Sequence, residues 1–184
     1  MRKAVQDLLR GAGIEIDGTD LEKTPARVTK TWNEIFLDGY RSDPKALFAE
    51  TYPVPEGPAS TVLLKAIPFH GLCPHHLLPF HGLAHVAYLP GKKLASLSSL
   101  ARLVDLYAHR LEIQETVTRQ IAEALMTHLK AKGAAVALET DQLCMTMRHP
   151  DRKGTRTVTQ HFEGAFARKS ALRLEFLKSL ESFV

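Results

Sequence analysis

Phe69-His70-Gly71-Leu72-Cys73-Pro74-His75-His76-Leu77-Leu78-Pro79-Phe80, followed by Gly82 and by His85-Val86-Ala87-Tyr88-Leu89-Pro90, is the most informative stretch of this chain. It holds one of only two cysteines; the other, Cys144, stands far downstream. Two thiolates and an imidazole are ligands of the kind zinc prefers. A structural zinc site closes with four protein ligands, whereas a catalytic one leaves the fourth place to water. The cysteines run out at two and lie too far apart for a self-contained finger, which favours an open, water-bearing metal. Taken without its surroundings, a lone C-x-x-H reads more simply as two unrelated buried thiols beside a histidine-rich loop.

The surroundings reverse that preference. The stretch resembles the metal-site segment of the type I GTP cyclohydrolases, which reads C-E-H-H-L-x-P-F-x-G-x-x-H-[IV]-A-Y-[IL]-P. The likeness continues through Leu97-Ser98, Arg102-Leu103-Val104, Gln114-Glu115, Gln120-Ile121-Ala122-Glu123-Ala124-Leu125, Leu143-Cys144-Met145 and Thr157-Val158-Thr159. It closes with Gly164-Ala165-Phe166 and Arg173-Leu174-Glu175-Phe176, and upstream Thr24-Pro25-Ala26-Arg27-Val28 resembles the family's T-P-x-R-[VI]. The resemblance runs collinearly from about Leu21 to Leu177 and implies an α+β tunnelling fold (T-fold). In that fold a four-stranded antiparallel sheet is backed by two helices and preceded by N-terminal helices. It also implies toroidal homodecamers with active sites between subunits. The chain is expected to be one domain over 1–184, helical to about residue 58 and T-fold core beyond.

Composition fits such a protein. The chain has 184 residues, enough for one domain with a substantial core. Its 45% hydrophobic and 24% charged residues are ordinary for a soluble globular protein. A formal charge of +4 suits an anionic ligand. No Lys/Arg block interleaved with aromatics points to nucleic acid. Met1-Arg2-Lys3 is basic, but Gln6, Asp7 and Arg10 interrupt any signal-peptide core, and no apolar run is long enough to span a bilayer. Two cysteines better used as thiolates point to a reducing compartment, and the chain reads as cytoplasmic.

Periodicity predicts a helix over residues 1–12, with Val5, Leu8 and Leu9 on one face and Gly11 and Gly13 at its end. Thr24 reads as an N-cap with Pro25 at the first helical position. That helix is expected to present Val28, Trp32, Ile35 and Phe36 and to end near Gly39. Asp43-Pro44 opens a short helical piece, and Pro53, Pro55, Gly57 and Pro58 make a loop. Strands are expected over 61–68 and 83–89, with the cysteine loop between them. Helices follow over 96–110 and 112–130, the second repeating Val117, Ile121, Leu125 and Leu129. Strands are expected at 134–138, 144–147 and 156–162, and a closing helix at 172–180. That order is an α+β pattern.

Carried over residue by residue, the resemblance makes Cys73, His76 and Cys144 the ligands of Zn2+. A metal there would lower the pKa of a bound water to about 7, giving a nucleophile for carbon 8 of a purine. His75, beside a ligand but not one itself, would be an acid/base group, since an imidazole donates and accepts protons near neutrality. Gln114 and Glu115 match the pair that recognises guanine. A carboxylate accepts from both the ring N–H and the exocyclic amine, and adenine does not offer that pair of donors. Arg27, Lys30, Arg102 and Arg148 fall on phosphate-binding positions, with Ser98 donating a hydroxyl. They come from separate segments, so the fold and the oligomer must bring them together.

The departures cluster at the same site. Gln142 stands where the family has a catalytic histidine, and glutamine can hydrogen-bond a reacting oxygen without shuttling a proton. Ser99, Pro74 and Gln160 replace a lysine, a glutamate and a serine. His70, His149 and His161 are additional histidines, any of which could take over the relay. Three functions are therefore in view. The first is a zinc hydrolase that opens the purine ring of GTP to give 7,8-dihydroneopterin triphosphate and formate. The second is a diverged homologue that stops at the ring-opened formamidopyrimidine or uses another guanine nucleotide. The third is a non-catalytic zinc-binding assembly protein, against which the retained ligands, Glu115 and four phosphate-site cations all argue. Zinc nucleobase deaminases need both H-x-E and P-C-x-x-C, and the chain has no P-C-x-x-C.

Overall fold

The structure is a computed structural model and describes residues 1–58 and 60–181. Four strands make its centre: β2 (Val62–Leu72), β3 (Pro79–Leu89), β5 (Gly133–Gln142) and β6 (Thr157–Gly164). They form one antiparallel sheet in the order β2-β3-β5-β6. The short strands β1 (Thr51–Pro53) and β4 (Lys93–Ala95) pair separately, and the backbone N–H of Ala95 donates to Tyr88 Oη at 3.0 Å. Two helices, α3 (Leu97–Ala108) and α4 (Gln114–His128), lie against one face of the large sheet. On the other face lie the short α6 (Ala165–Arg168) and the closing α7 (Ser170–Glu181).

Strand periodicity sets which residues meet which layer. Side chains alternate across a strand, so on β5 Ala134, Val136 and Leu138 join the core under α3 and α4. Ala135 and Ala137 face Phe166 and Phe176 instead. Helical spacing completes the larger core: Leu100, Leu103, Val104 and Tyr107 on α3, and Val117, Ile121 and Leu125 on α4, are all buried. Burying each of these larger apolar side chains is worth roughly 1.5–3 kcal/mol. Ser96 caps α3, its side chain accepting from the Ser99 N–H at 3.1 Å, a contribution of about 1 kcal/mol. Gly82 is required on β3, because a Cβ there would collide with Glu139 O and lie 2.7 Å from Thr140 Cα.

Several expectations are corrected. The two central strands run on to Leu72 and from Pro79, because Leu72 pairs with Pro79 and the hairpin closes right up to the cysteine loop. Residues 144–147 are not a strand. β5 runs out of partner where Phe80 faces Gln142, and the chain turns into the single helical turn α5 (Leu143–Thr146). Thr24 does not cap. The helix α2 (Thr24–Thr31) starts after Lys23 with no side-chain cap, then widens into a π-turn over Trp32–Phe36. In α1 (Arg2–Gly11) no residue is buried, and in α2 only Pro25 is. No helix among the described residues is long and apolar enough to cross a membrane.

The segment after α2 is tied to α3 by a titratable cluster. His109 Nδ1 lies 2.8 Å from Asp38 Oδ1, and the His70 and His109 rings are 4.6 Å apart. The Nε2 atoms of both rings are buried without a hydrogen-bond partner. Burial pushes the His70 imidazole below its ordinary 6.5, and neighbouring His109 adds to the effect. Burial also raises the Asp105 carboxyl beside them. For His70 the unfolded chain binds a proton at a pH where the folded chain does not. Its neutral form therefore supports the fold above pH 6.5, and that support is lost as pH falls through the window below it. Melting temperature should drop between about pH 7.5 and about pH 5.5, and His70→Gln should reduce the drop. An unchanged drop in His70→Gln would show that other groups carry it; His85, also lowered by burial and by Lys65, is the first alternative.

Candidate active site

The cysteine loop is a closed turn. The Cys73 N–H donates to Leu78 O and the Leu77 N–H donates to Cys73 O, both at 2.9 Å, with Leu77 in the left-handed region at φ 54°. This brings two donor atoms together three residues apart: His76 Nδ1 lies 3.7 Å from Cys73 Sγ. The third comes from α5, at the end of β5. The ligand atoms of Cys73, His76 and Cys144 all lie within 4.8 Å of one another, a cluster able to hold a metal ion. Burial raises the Cys144 thiol above its ordinary value, with the adjacent Cys73 adding to the shift. A metal binding here therefore displaces thiol protons.

Around the cluster opens a cavity of about 370 Å³. Cys73 and Cys144 line it together with His75 from the cysteine loop, Gln114 and Glu115 from α4 and Gln142 from β5. His75 Nδ1 is 3.9 Å from Cys73 Sγ, so the second histidine of the loop stands next to the metal-binding cluster without belonging to it. Arg148 reaches the same place from below α5, its Nη1 2.7 Å from His76 Nε2.

Gln114 lies differently from its neighbour. It is 4% exposed, and its amide is engaged on all sides within the protein. Nε2 donates to Leu138 O, Thr157 O and Thr159 Oγ1, while Oε1 accepts from Thr140 Oγ1 and Gln142 Nε2. Thr118 Oγ1 donates back to Gln114 O at 2.7 Å and lies 2.6 Å from Thr159 Oγ1. One side chain thus pegs the start of α4 to both β5 and β6 and bonds directly to Gln142. Both members of the expected guanine pair line the cavity, but the Gln114 amide is engaged within the protein, whereas Glu115 is exposed. The threonines of this wall were not singled out from the sequence for a role. Their signal is the alternation Thr157-x-Thr159, which puts both hydroxyls on one face of β6.

None of the five expected phosphate ligands lines this cavity, Arg148 included. Arg27 and Lys30 are exposed on α2, Lys30 lying 4.0 Å from Glu34. Ser98 is exposed at the start of α3, 3.0 Å from Ser96 Oγ. Arg102 lines a separate recess with Asp38, Asp105 and His109. None of the additional histidines lines the cavity either. His70 stacks on His109 and meets the Phe36 ring edge-on, His161 Nε2 lies 3.0 Å from Glu163 Oε1, and His149 is exposed after α5.

Comparison with known proteins agrees with this arrangement. The profile of the GTP cyclohydrolase I family matches residues 1–181. The chain is 42% identical over 178 residues to the GTP cyclohydrolase 1 of Ralstonia nicotianae, covering 97% of this chain and 84% of that one. It is 40% identical over 179 residues to that of Chromobacterium violaceum, covering 97% and 86%. With the Sinorhizobium fredii protein of the same name it shares 42% over 181 residues, covering 98% and 88%. With its cysteine–histidine cluster, the carboxylate across the cavity and a match over nearly its whole length, the chain belongs to the GTP cyclohydrolase I family.

Proposed function

We propose that this chain is a GTP cyclohydrolase I, which opens the imidazole ring of GTP, releases carbon 8 as formate and yields 7,8-dihydroneopterin triphosphate. The observation that carries the reading is a Cys73–His76–Cys144 cluster whose two cysteines line one cavity together with His75 and Glu115, in a member of that family. The relatives bear the name of the complete reaction, so arrest at a ring-opened intermediate is not favoured.

The donor set suits zinc. Two ligands of a tetrahedral zinc with Zn–S near 2.3 Å and Zn–N near 2.05 Å stand about 3.6 Å apart, against the 3.7 Å between Cys73 Sγ and His76 Nδ1. Two thiolates and one imidazole leave a fourth position open, and a zinc ion bound there supplies an activated water as nucleophile.

The chain's own residues do the rest. Glu115, in the first turn of α4, accepts from the guanine ring N–H and exocyclic amine and so turns carbon 8 toward the cysteines. His75 stands where it can give a proton to the adjacent ring nitrogen as carbon 8 is attacked and take one back later. Arg148 supplies positive charge beside the cluster. Phosphate contacts from Arg27, Lys30, Ser98 and Arg102 fit sites completed by neighbouring subunits. Exposed apolar side chains on the N-terminal segment, such as Leu8, Ile35 and Tyr40, support the same assembly. We take this to be the homodecamer of the resemblance, each subunit one domain over 1–184. The thiol ligands suit the reducing cytoplasm.

The direct test incubates zinc-loaded protein with GTP and follows formate, pterin fluorescence and product mass. Dihydroneopterin triphosphate and formate in equal amounts are expected. Unchanged GTP would overturn the reading.

A further inference from the structure

Main-chain carbonyls fix the orientation of the two glutamine amides beside the cavity. Leu138 O and Thr157 O can only accept, so the Gln114 atom facing them, at 3.1 and 3.2 Å, must be its Nε2. Gln114 Oε1 therefore points to Gln142 and can only accept. The Gln142 atom 2.9 Å from it must then be the nitrogen. The same nitrogen also donates to Thr140 Oγ1 at 3.0 Å, whose own proton goes to Gln114 Oε1 at 2.6 Å. The Gln142 nitrogen is thus turned into the wall. Of the four polar atoms in the two amides, Gln142 Oε1 alone has no hydrogen bond within the described residues, and Gln142 lines the cavity.

We propose that Gln142 presents a carbonyl oxygen to the reacting ring and acts as an acceptor-only residue that recognises ring-hydrated and ring-opened species in preference to GTP itself. The proposal rests on the reading of the site as a GTP cyclohydrolase. Water adds across the carbon 8–nitrogen 7 double bond, its oxygen bonding to carbon 8 and a proton ending on nitrogen 7. GTP offers no N–H or O–H at that edge, whereas the adduct offers both. The formamide left when the carbon 8–nitrogen 9 bond breaks keeps an N–H donor. An acceptor held in place by Gln114 and Thr140 therefore gains its partner only after addition. That is where an interaction raises kcat without tightening substrate binding. No proton moves to or from Gln142.

The test uses the zinc-loaded enzyme and 8-oxo-7,8-dihydro-GTP, whose nitrogen 7 carries the proton that GTP lacks. In the wild type its inhibition constant should lie at least ~10-fold below the KM for GTP, the scale of one well-placed hydrogen bond. Gln142→Met keeps the length of the side chain but removes the acceptor. It should raise that constant ~10-fold and lower kcat by ~10-fold or more, while the KM for GTP changes less than about twofold. Gln142→His can donate one ring N–H to Gln114 Oε1 and turn its bare nitrogen to the cavity, so it should recover both effects. An inhibition constant unchanged in Gln142→Met, or a kcat loss that Gln142→His fails to recover, would overturn the proposal. If Gln142→Met does not melt cooperatively, the wild type decides alone, and inhibition no tighter than the KM for GTP overturns it. Absence of GTP turnover by the wild type would sink the functional reading, and the proposal with it.

Discussion

Cys144→Ala should purify without metal and without measurable turnover. The three donor atoms within 4.8 Å of one another are the one metal-binding cluster of cysteine, histidine and carboxylate side chains among the described residues. Removing Cys144 leaves one thiol and one imidazole from a single turn, and two ligands alone do not retain zinc against solvent. The rate should fall by ~10⁴-fold or more, because the attacking water is no longer acidified to near neutrality by a metal. Cys144 is only half-buried in a one-turn helix, so the fold should survive the change. Metal content per chain, measured beside the melting curve, checks this. Full occupancy in a folded variant would overturn the ligand assignment.

Glu115→Gln should be the next most damaging change, costing at least ~2 kcal/mol in kcat/KM for GTP, or about 30-fold. The carboxylate stands at the cavity in the first turn of α4, and Gln114 anchors that turn to two strands. The backbone that carries it is therefore anchored, and in the proposed reading its carboxylate accepts from two donors of guanine. An amide there sets a donor against a donor, leaving one of them unsatisfied away from water. Inosine triphosphate, which lacks the exocyclic amine, gives a second reading of the same contact. The preference of the wild type for GTP over it should shrink in Glu115→Gln. Kinetics with GTP equal to those of the wild type would place base recognition elsewhere.

The sequence carried the central sheet and its two backing helices well, because β-branched and aliphatic alternation and the Val117–Leu129 repeat are local signals. It erred at 144–147, where a short apolar run is equally consistent with a strand or a helical turn. There the outcome is decided by where β3 stops offering a pairing partner. The π-turn at Trp32–Phe36 had no sequence signal either, since the apolar spacing continues through it. At the site, the spacing of Cys73 and His76 and the lone second cysteine pointed to the cluster that the structure assembles, while His75 and Glu115, named from resemblance, are found lining the adjoining cavity. The inward turn of Gln114 was not legible. Whether a glutamine side chain faces a cavity or a wall depends on which carbonyls lie behind it, and Leu138 O and Thr157 O arrive from strands distant in sequence. Arg27, Lys30, Ser98 and Arg102 are legible only as charges and a hydroxyl, since a single chain does not bring them to the cavity.

The split origin of the metal-binding cluster has a consequence for how the protein is made. Cys73 and His76 leave the ribosome together on the turn between β2 and β3, whereas Cys144 follows only after α3, α4 and β5 have been synthesised. It reaches them when β5 zips onto β3 in the register that sets Phe80 opposite Gln142. A nascent chain therefore offers a passing cation two ligands and weak retention. Tight capture begins only once the middle of the sheet is paired correctly. Metal uptake should therefore report on topology: a chain whose β5 is slipped by one residue is expected to turn Cys144 away and stay empty. Time-resolved metal incorporation during cell-free synthesis would register that step as a late, abrupt rise.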